Sequence, residues 1–358
     1  RYFVDAYYAI QNFRIQAAGQ MRASSESGEP NLVVVWNHDS MRRLESDVQR
    51  ALGEFSDRYL CGQWLQSIIG IGPVISAGLL AHLDVRGKKT AGHFWSFAGL
   101  DPSKKWEGTT VLQSRISRMF PGQNRLTLPE AEQVGIALGR TPERLLAPVA
   151  AESSDGRIAV GKLASLLAKR PWNAKLKVLC FKAGESFVKF QGNKNDFYGK
   201  LFVARKAAEW AANLSGKNTD FAANSLKEKN YGSDTNARAW YEGRVRKEWA
   251  EEILAIGDGF PVSLPKDSRC EPPGIAMLPP AHIHARARRF VEKIFLSHVH
   301  HAMYQDYYGE PPARPYVFEK LPGDHDHRHF IELPNWPFQG DGERLTMLLR
   351  DEPEATKE

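Results

Sequence analysis

The chain has 358 residues, with 48 Lys plus Arg against 42 Asp plus Glu and a formal net charge of +6. That length supplies two or three domains and a sizeable core, and the mild basic excess suits an anionic partner without demanding one. Three lone cysteines (Cys61, Cys180 and Cys270) with no CxxC pair argue against a disulfide framework and a structural zinc cluster. No apolar run reaches membrane-spanning length and no signal peptide is recognisable, so a cytoplasmic, reducing compartment and no membrane partner are expected. The first residue is Arg1 rather than Met, and a missing or trimmed upstream segment is expected from it.

The pattern is helical almost throughout. Tyr2 to Met21 reads as one helix, with Phe3, Tyr7, Ile10 and Phe13 on one stripe. The run "ASSESGEPN" breaks it, and Leu32 to Tyr59 reads as a second helix with Leu44, Val48, Leu52 and Phe55 as its apolar positions. The two are expected to pack as an antiparallel scaffold. From about Thr109 to Ala168 the character changes. In "LTLPEAEQVGIALGRTPERLLA", Thr127 stands three residues before Glu130, a capping-box spacing. Gly139 is a helix stop, and Thr141-Pro142 restarts a helix with Pro at its first position. Helix, glycine turn, short helix resembles the core of phage-repressor-type helix-turn-helix domains; a small helical insertion without a DNA role reads equally well. Lys169 to about Ala212 is helical and basic, 214–258 is polar, and "DSRCEPPGIAMLPP" is a loop. Ala281 to about Tyr308 reads as a long amphipathic helix, followed by a His/Pro-rich tail.

The most informative stretch is "SIIGIGPVISAGLLAHLDV", Ser67 to Val85. Aliphatic-Gly-aliphatic-Gly before a smooth small-residue helix is the pattern of a helix-hairpin-helix. Gly70 and Gly72 are both read as positions with φ > 0 that bring the backbone close to a partner. Pro73 starts the second helix without wasting a donor. The free N–H groups at that helix start suit a DNA phosphate, and such contacts anchor DNA without reading sequence. Ala77 and Gly78 are read as letting the two helices pack closely. The alternative is a tight turn that binds nothing. Lys88, Lys89, Lys104 and Lys105, with Trp95 and Trp106 interleaved, favour DNA.

The stretch "SIIGIGPVISAGLLAHLD...AGHFWSFAGLDPSKKW" resembles the C-terminal domain of the insertion-sequence transposases of the one-ten, one-sixteen and nine-oh-two group. There a "PGIGPxxAxxLLAEIGD" stretch precedes "FxSxxxLAxYAGLxP", and Phe97-Ala98-Gly99-Leu100-Asp101-Pro102 supplies the second half here. Looser echoes are "KRPWNAKLKVLCFKAGESFVK", "DFYGKLFVARKAAE" and "AHIHARARRFVEKIFLSHVHHAMY". The resemblance implies duplex DNA as partner, action in transposition or recombination of a mobile element, a guide RNA, and leaves a homo-oligomer open. It also implies an N-terminal RuvC-like domain whose four acidic residues bind metal, but nothing before Ser67 resembles one. The family's catalytic serine lies just ahead of a basic "GN" segment, and Ala168, ahead of Lys169-Arg170-Pro171-Trp172-Asn173, stands at the nearest place here. Lys169 and Arg170 join the expected DNA contacts.

Ser186 in "KAGESFVK" is the next serine of that region, with Lys182 and Lys189 at helical spacing to hold a scissile phosphate. The alternative is a small residue in a packed helix interface. Eight of the eleven histidines lie between His282 and His329. In "DHDHRH", His325, His327 and His329 would share one face of an extended strand and could bind Zn²⁺ or Mn²⁺ for phosphodiester hydrolysis; a polar loop is the alternative. In "HIHARARR", Arg286 and Arg289 share a helical face that either follows a nucleic-acid backbone or is simply solvated.

These readings give an all-α chain. Its parts are a helical hairpin (1–60), a helix-hairpin-helix module (61–108), an inserted helix-turn-helix-like subdomain (109–168), a C-terminal helical transposase-like domain (169–310) and a tail (311–358). The function expected is that of a DNA-binding transposase or recombinase-like protein, with catalytic competence open. A non-catalytic architectural DNA binder and a nuclease dependent on a divalent metal are the alternatives.

Overall fold

A computed structural model describes residues 1–25, 28, 31–101, 103, 106–138, 155–168, 170–228, 231–232, 235–256, 270, 273–313 and 331–337. The chain is all-α, and it divides into two compact units: Arg1–Phe94 with Val178 onward, and Trp95–Lys177.

The first unit begins with α1 (Tyr2–Ser25) and α2 (Leu32–Asp57), whose start is capped by the Asn31 side chain accepting from the Val33 N–H at 2.8 Å. They run antiparallel: Val4 and Tyr7 pack near Val48 and Leu52, while Gln11 and Arg14 reach Glu45. The seam holds Tyr7, Val48 and Leu52 of the expected stripes, but Phe3, Phe13, Leu44 and Phe55 are exposed, and the buried face of α1 adds Val4 and Ala17. The seam also holds a carboxylate. Glu45 is buried, which raises its pKa, but hydrogen bonds from Arg14, Gln11 and Tyr7 outweigh that and hold it below the usual carboxylate range.

Next come α3 (Leu60–Ser67), α4 (Pro73–His82) and α5 (Ala91–Phe97). The α3–α4 approach is made at Gly62, whose carbonyl accepts from Ser76 Oγ at 3.3 Å. Gly78 does a different job from the one expected. A Cβ there would lie 2.8 Å from Leu179 Cδ1, so this glycine admits a side chain of α9 (Ala174–Phe190). The unit continues with α10 (Tyr198–Leu214), α11 (Thr219–Glu228), α12 (Asn236–Tyr241), α13 (Lys247–Ile256) and α14 (Pro280–Tyr308). Gly309, at φ 77°, ends the last.

Two aromatic clusters hold these helices. Phe187 stacks on Tyr198 at 4.6 Å, and Phe295 meets both edge-on at 5.1 and 5.2 Å. Trp210, Trp240, Tyr241 and Ile283 centre the second cluster, so the polar-looking 214–258 segment in fact supplies core. The loop expected before α14 is pinned by buried Asn213, whose amide donates to the Leu278 carbonyl at 3.1 Å while its oxygen accepts from the Leu278 N–H at 2.8 Å. Cys61 and Cys180 are buried and free, and burial pushes both thiols up.

The second unit has its own core. Helix α6 (Thr109–Met119) packs on α8 (Val160–Leu167), and α7 (Leu128–Ala137) closes over them. Leu112, Ile116, Leu126, Val134 and Leu163 are fully buried there. The expected capping box forms: Glu130 Oε2 accepts from the Thr127 N–H at 2.7 Å. Two short strands, β1 (Arg125–Leu126) and β2 (Ile158–Ala159), pair antiparallel, which two residues of sequence could not announce. The helix expected after Thr141 lies outside the described residues.

The ends of this unit meet in a neck. The Asn173 N–H donates to the Phe97 carbonyl at 2.8 Å, and Trp106 Nε1 to the Ala168 carbonyl at 2.6 Å. Gly99, at φ 69°, admits Trp172: a Cβ there would lie 2.7 Å from Trp172 Cγ. Each unit thus carries a core of its own. Deleting residues 111–167 is expected to leave a soluble, helical protein with a cooperative thermal transition by circular dichroism. Loss of all soluble material would place this stretch in the folding core of the whole chain.

Candidate nucleic-acid interface

The hairpin turn runs from Ile68 to Gly72. Ile68 and Ile71 are buried, and the Ile71 N–H donates to the Ile68 carbonyl at 3.0 Å, which anchors the turn in the core. Gly70 sits at φ 91°, where an L side chain is strained. The reading of Gly72 as a second left-handed position needs correcting. It lies at φ −96°, ψ 178°, extended backbone open to any residue, and nothing stands within 4 Å of an added Cβ. Its work is to be the N-cap of α4. The chain must be extended at that position, not left-handed.

No side chain caps α4, and Pro73 occupies its first turn. The N–H groups of Val74 and Ile75 therefore lack intrahelical partners and carry the positive end of the helix dipole. Residues Gly72 to Ile75 line a cavity of about 450 Å³. Its opposite wall is α9, with Lys182, Glu185, Ser186 and Lys189, and its third wall is Tyr7, Tyr8, Gln11 and Gln49 from α1 and α2. Lys182, Ser186 and Lys189 fall at i, i+4, i+7, one face of α9. Lys182 Nζ lies 3.5 Å from the Tyr8 ring centroid, and burial lowers its pKa. Glu185 is ion-paired with Arg288, so its negative charge is met from α14. Ser186 donates its O–H to the Gly70 carbonyl at 2.6 Å.

The structure thus joins Gly70, Gly72, Lys182 and Ser186. It places the other expected contacts elsewhere. Lys88 and Lys89 are exposed past the far end of α4, where the Lys88 carbonyl accepts from His300 Nε2–H at 2.7 Å. Trp106 and Arg170 meet each other in the second unit, guanidinium carbon 4.9 Å from the ring centroid. Lys104, Lys105 and Lys169 lie outside the described residues. Arg286 is ion-paired with buried Glu209 at 2.9 Å, whereas Arg289 is exposed and donates to the Ala285 carbonyl at 3.1 Å. Tyr8, Gln11 and Gln49 were absent from the sequence reading, which took α1 and α2 for scaffold. The one available signal was a glutamine, Gln11, spaced with buried Val4 and Tyr7.

His325, His327 and His329 lie outside the described residues. Of the α14 histidines, His298 and His300 are buried. His298 accepts from the Tyr198 O–H at 2.7 Å and donates to the Ile331 carbonyl at 2.8 Å, and burial depresses its pKa to about 4. Burial also lowers the pKa values of His300 and His301. Among the described residues no group of three or more His, Cys, Asp or Glu is arranged to hold a metal ion, and no helix is long and apolar enough to cross a membrane.

Comparison with known proteins gives one finding. Residues 62–143 match the family described as transposase IS116/IS110/IS902. Neither the curated proteins nor the solved structures give a match to the chain. The matched segment starts inside α3 and takes in the Gly70 turn, the whole of α4 and the Phe97–Leu100 stretch, the same residues that carry the sequence resemblance. The similarity to the transposase IS116/IS110/IS902 family rests on this segment of the chain.

Proposed function

We propose that the chain is a DNA-binding protein of transposase or recombinase type that anchors duplex DNA through its α3–α4 hairpin. The observation that carries this is the uncapped α4 start opening into a cavity flanked by Lys182 and Lys189. Unpaired backbone N–H groups, a helix dipole and two ammonium groups together suit a phosphate oxygen. The family of segment 62–143 supports DNA as the source of that phosphate. Phosphate contacts of this kind hold the duplex without selecting its sequence.

A second reading concerns chemistry. The Ser186 hydroxyl donates to a carbonyl oxygen, which takes up no proton at neutral pH, so that contact does not activate it as a nucleophile. This favours an anchoring role over a catalytic one for the hairpin and α9.

The test is fluorescence anisotropy on two unrelated duplexes across a salt series. Counterion release is expected to give a log–log slope of about −0.9 per phosphate contacted. The two duplexes are expected to bind alike, and Lys182→Ala with Lys189→Ala to flatten the slope by about two. Affinity indifferent to salt would remove the proposal.

A further inference from the structure

We infer that Ser186 is a positioning residue: its hydroxyl sets the Gly70–Ile71 peptide, and through it the aim of the α4 start into the cavity. The inference rests on the phosphate-anchoring reading above and assigns α9 a part in it. The hydroxyl lies 2.6 Å from the Gly70 carbonyl oxygen, although the two residues stand 116 positions apart in the chain. The same peptide unit is held at its other edge, where the Ile71 N–H donates to the Ile68 carbonyl at 3.0 Å. A peptide plane tied at both its C=O and its N–H cannot rotate without breaking a bond. The next residue is Gly72, the N-cap of α4. Orientation of the turn peptide therefore passes directly into the direction of the first free N–H groups of the helix.

Two further details point the same way. A serine in the middle of a helix has the carbonyl four residues back as a ready acceptor; Ser186 is bonded instead to a residue of the turn. The fit is also tight. A Cβ at Gly70 would lie 2.8 Å from Ser186 Oγ and 3.2 Å from Phe190 Cδ2, so the glycine leaves the space that the hydroxyl uses. Ser186 stands between Lys182 and Lys189 on the cavity wall, which couples the aim of the backbone donors to the place of the two charges.

The experiment compares the full chain with Ser186→Ala and Ser186→Thr. Three readouts are taken: anisotropy on two unrelated duplexes, thermal melting, and the amide spectrum of ¹⁵N-labelled protein. Ser186→Ala is expected to weaken both duplexes alike, by about 2–10-fold, the worth of one hydrogen bond. The Ile71, Gly72 and Val74 amides are expected to shift while the melting transition is retained. Ser186→Thr, which keeps the hydroxyl, is expected to restore both affinity and shifts. A folded Ser186→Ala with unchanged affinity and unchanged amides would overturn the assignment. So would a covalent protein–DNA species that disappears in Ser186→Ala, since the residue would then be a nucleophile. If those amides shift and recover as expected while the unaltered chain fails to bind duplex DNA, the positioning role stands and the DNA reading falls.

Discussion

Gly70→Val is expected to lower affinity for duplex DNA by at least about tenfold, on any sequence, in a protein that remains helical. Two separate penalties meet at this residue. Its φ of 91° is a genuine outlier for a β-branched side chain, worth on the order of 1–3 kcal/mol. Its Cβ would also displace Ser186 Oγ, 2.8 Å away, and press on Phe190. The cheapest relief is to turn the Gly70 peptide, which redirects the α4 start. Gly72→Val is the matched control, because an extended residue with nothing within 4 Å accepts a side chain without backbone strain. Its effect is expected to be the smaller of the two. Titrations of both variants on two unrelated duplexes, with circular dichroism for folding, make the comparison. No loss for Gly70→Val would reduce the turn to a connector, and equal losses for the two variants would remove the part assigned to the left-handed Gly70.

Glu209→Ala is expected to cost about 1–3 kcal/mol of stability, the worth of a buried charged acceptor whose partners keep part of their surface in water. Glu209 is only 4% exposed, on α10. Its carboxylate meets Arg205 from the same helix and Arg286 from α14 at 2.9 Å. Truncation leaves two guanidinium groups facing each other across that interface without their anion. A fall in melting temperature of roughly 5 °C follows for a unit of this size. The same geometry engages Arg286. Its guanidinium is committed to Glu209 and lies 5.3 Å from the Phe221 ring centroid, so Arg286→Ala is expected to lower the melting temperature and leave the salt slope of DNA binding unchanged. A melting temperature unaffected by Glu209→Ala would show that the three charges are solvated rather than structural.

The contrast between Gly70 and Gly72 shows how far the sequence could be read. A Gly-x-Gly-Pro run states that a turn feeds a helix, because both glycine and proline restrict the backbone in known ways. It does not state which glycine carries the positive φ, since glycine tolerates the extended region equally well. Thr127 and Glu130 were legible for a similar reason: a capping box is satisfied within four residues. The seam of α1 and α2 was less so. Neighbouring helical stripes differ by a single residue, and Val4 rather than Phe3 faces the second helix, while Gln11 and Arg14 reach Glu45 there. The cavity was the least legible part. Its walls come from α1, α2, α4 and α9, and only the tertiary fold brings Tyr8 and Gln11 to Lys182 and Ser186.

If the chain without residues 111–167 folds as expected, the neck of the second unit makes this stretch an exchangeable cassette. Its flanks are clasped by Asn173 to Phe97 and by Trp106 to Ala168, so the chain leaves and returns at nearly one point. A loop that opens and closes at one point constrains neither the length nor the content of what it encloses, because closure entropy grows only slowly with length. A foreign domain with adjacent termini, such as one that stiffens on binding a small ligand, could be spliced between Trp106 and Ala168 with short linkers. The clasp would then serve as the mechanical port through which an unrelated signal is wired into this protein.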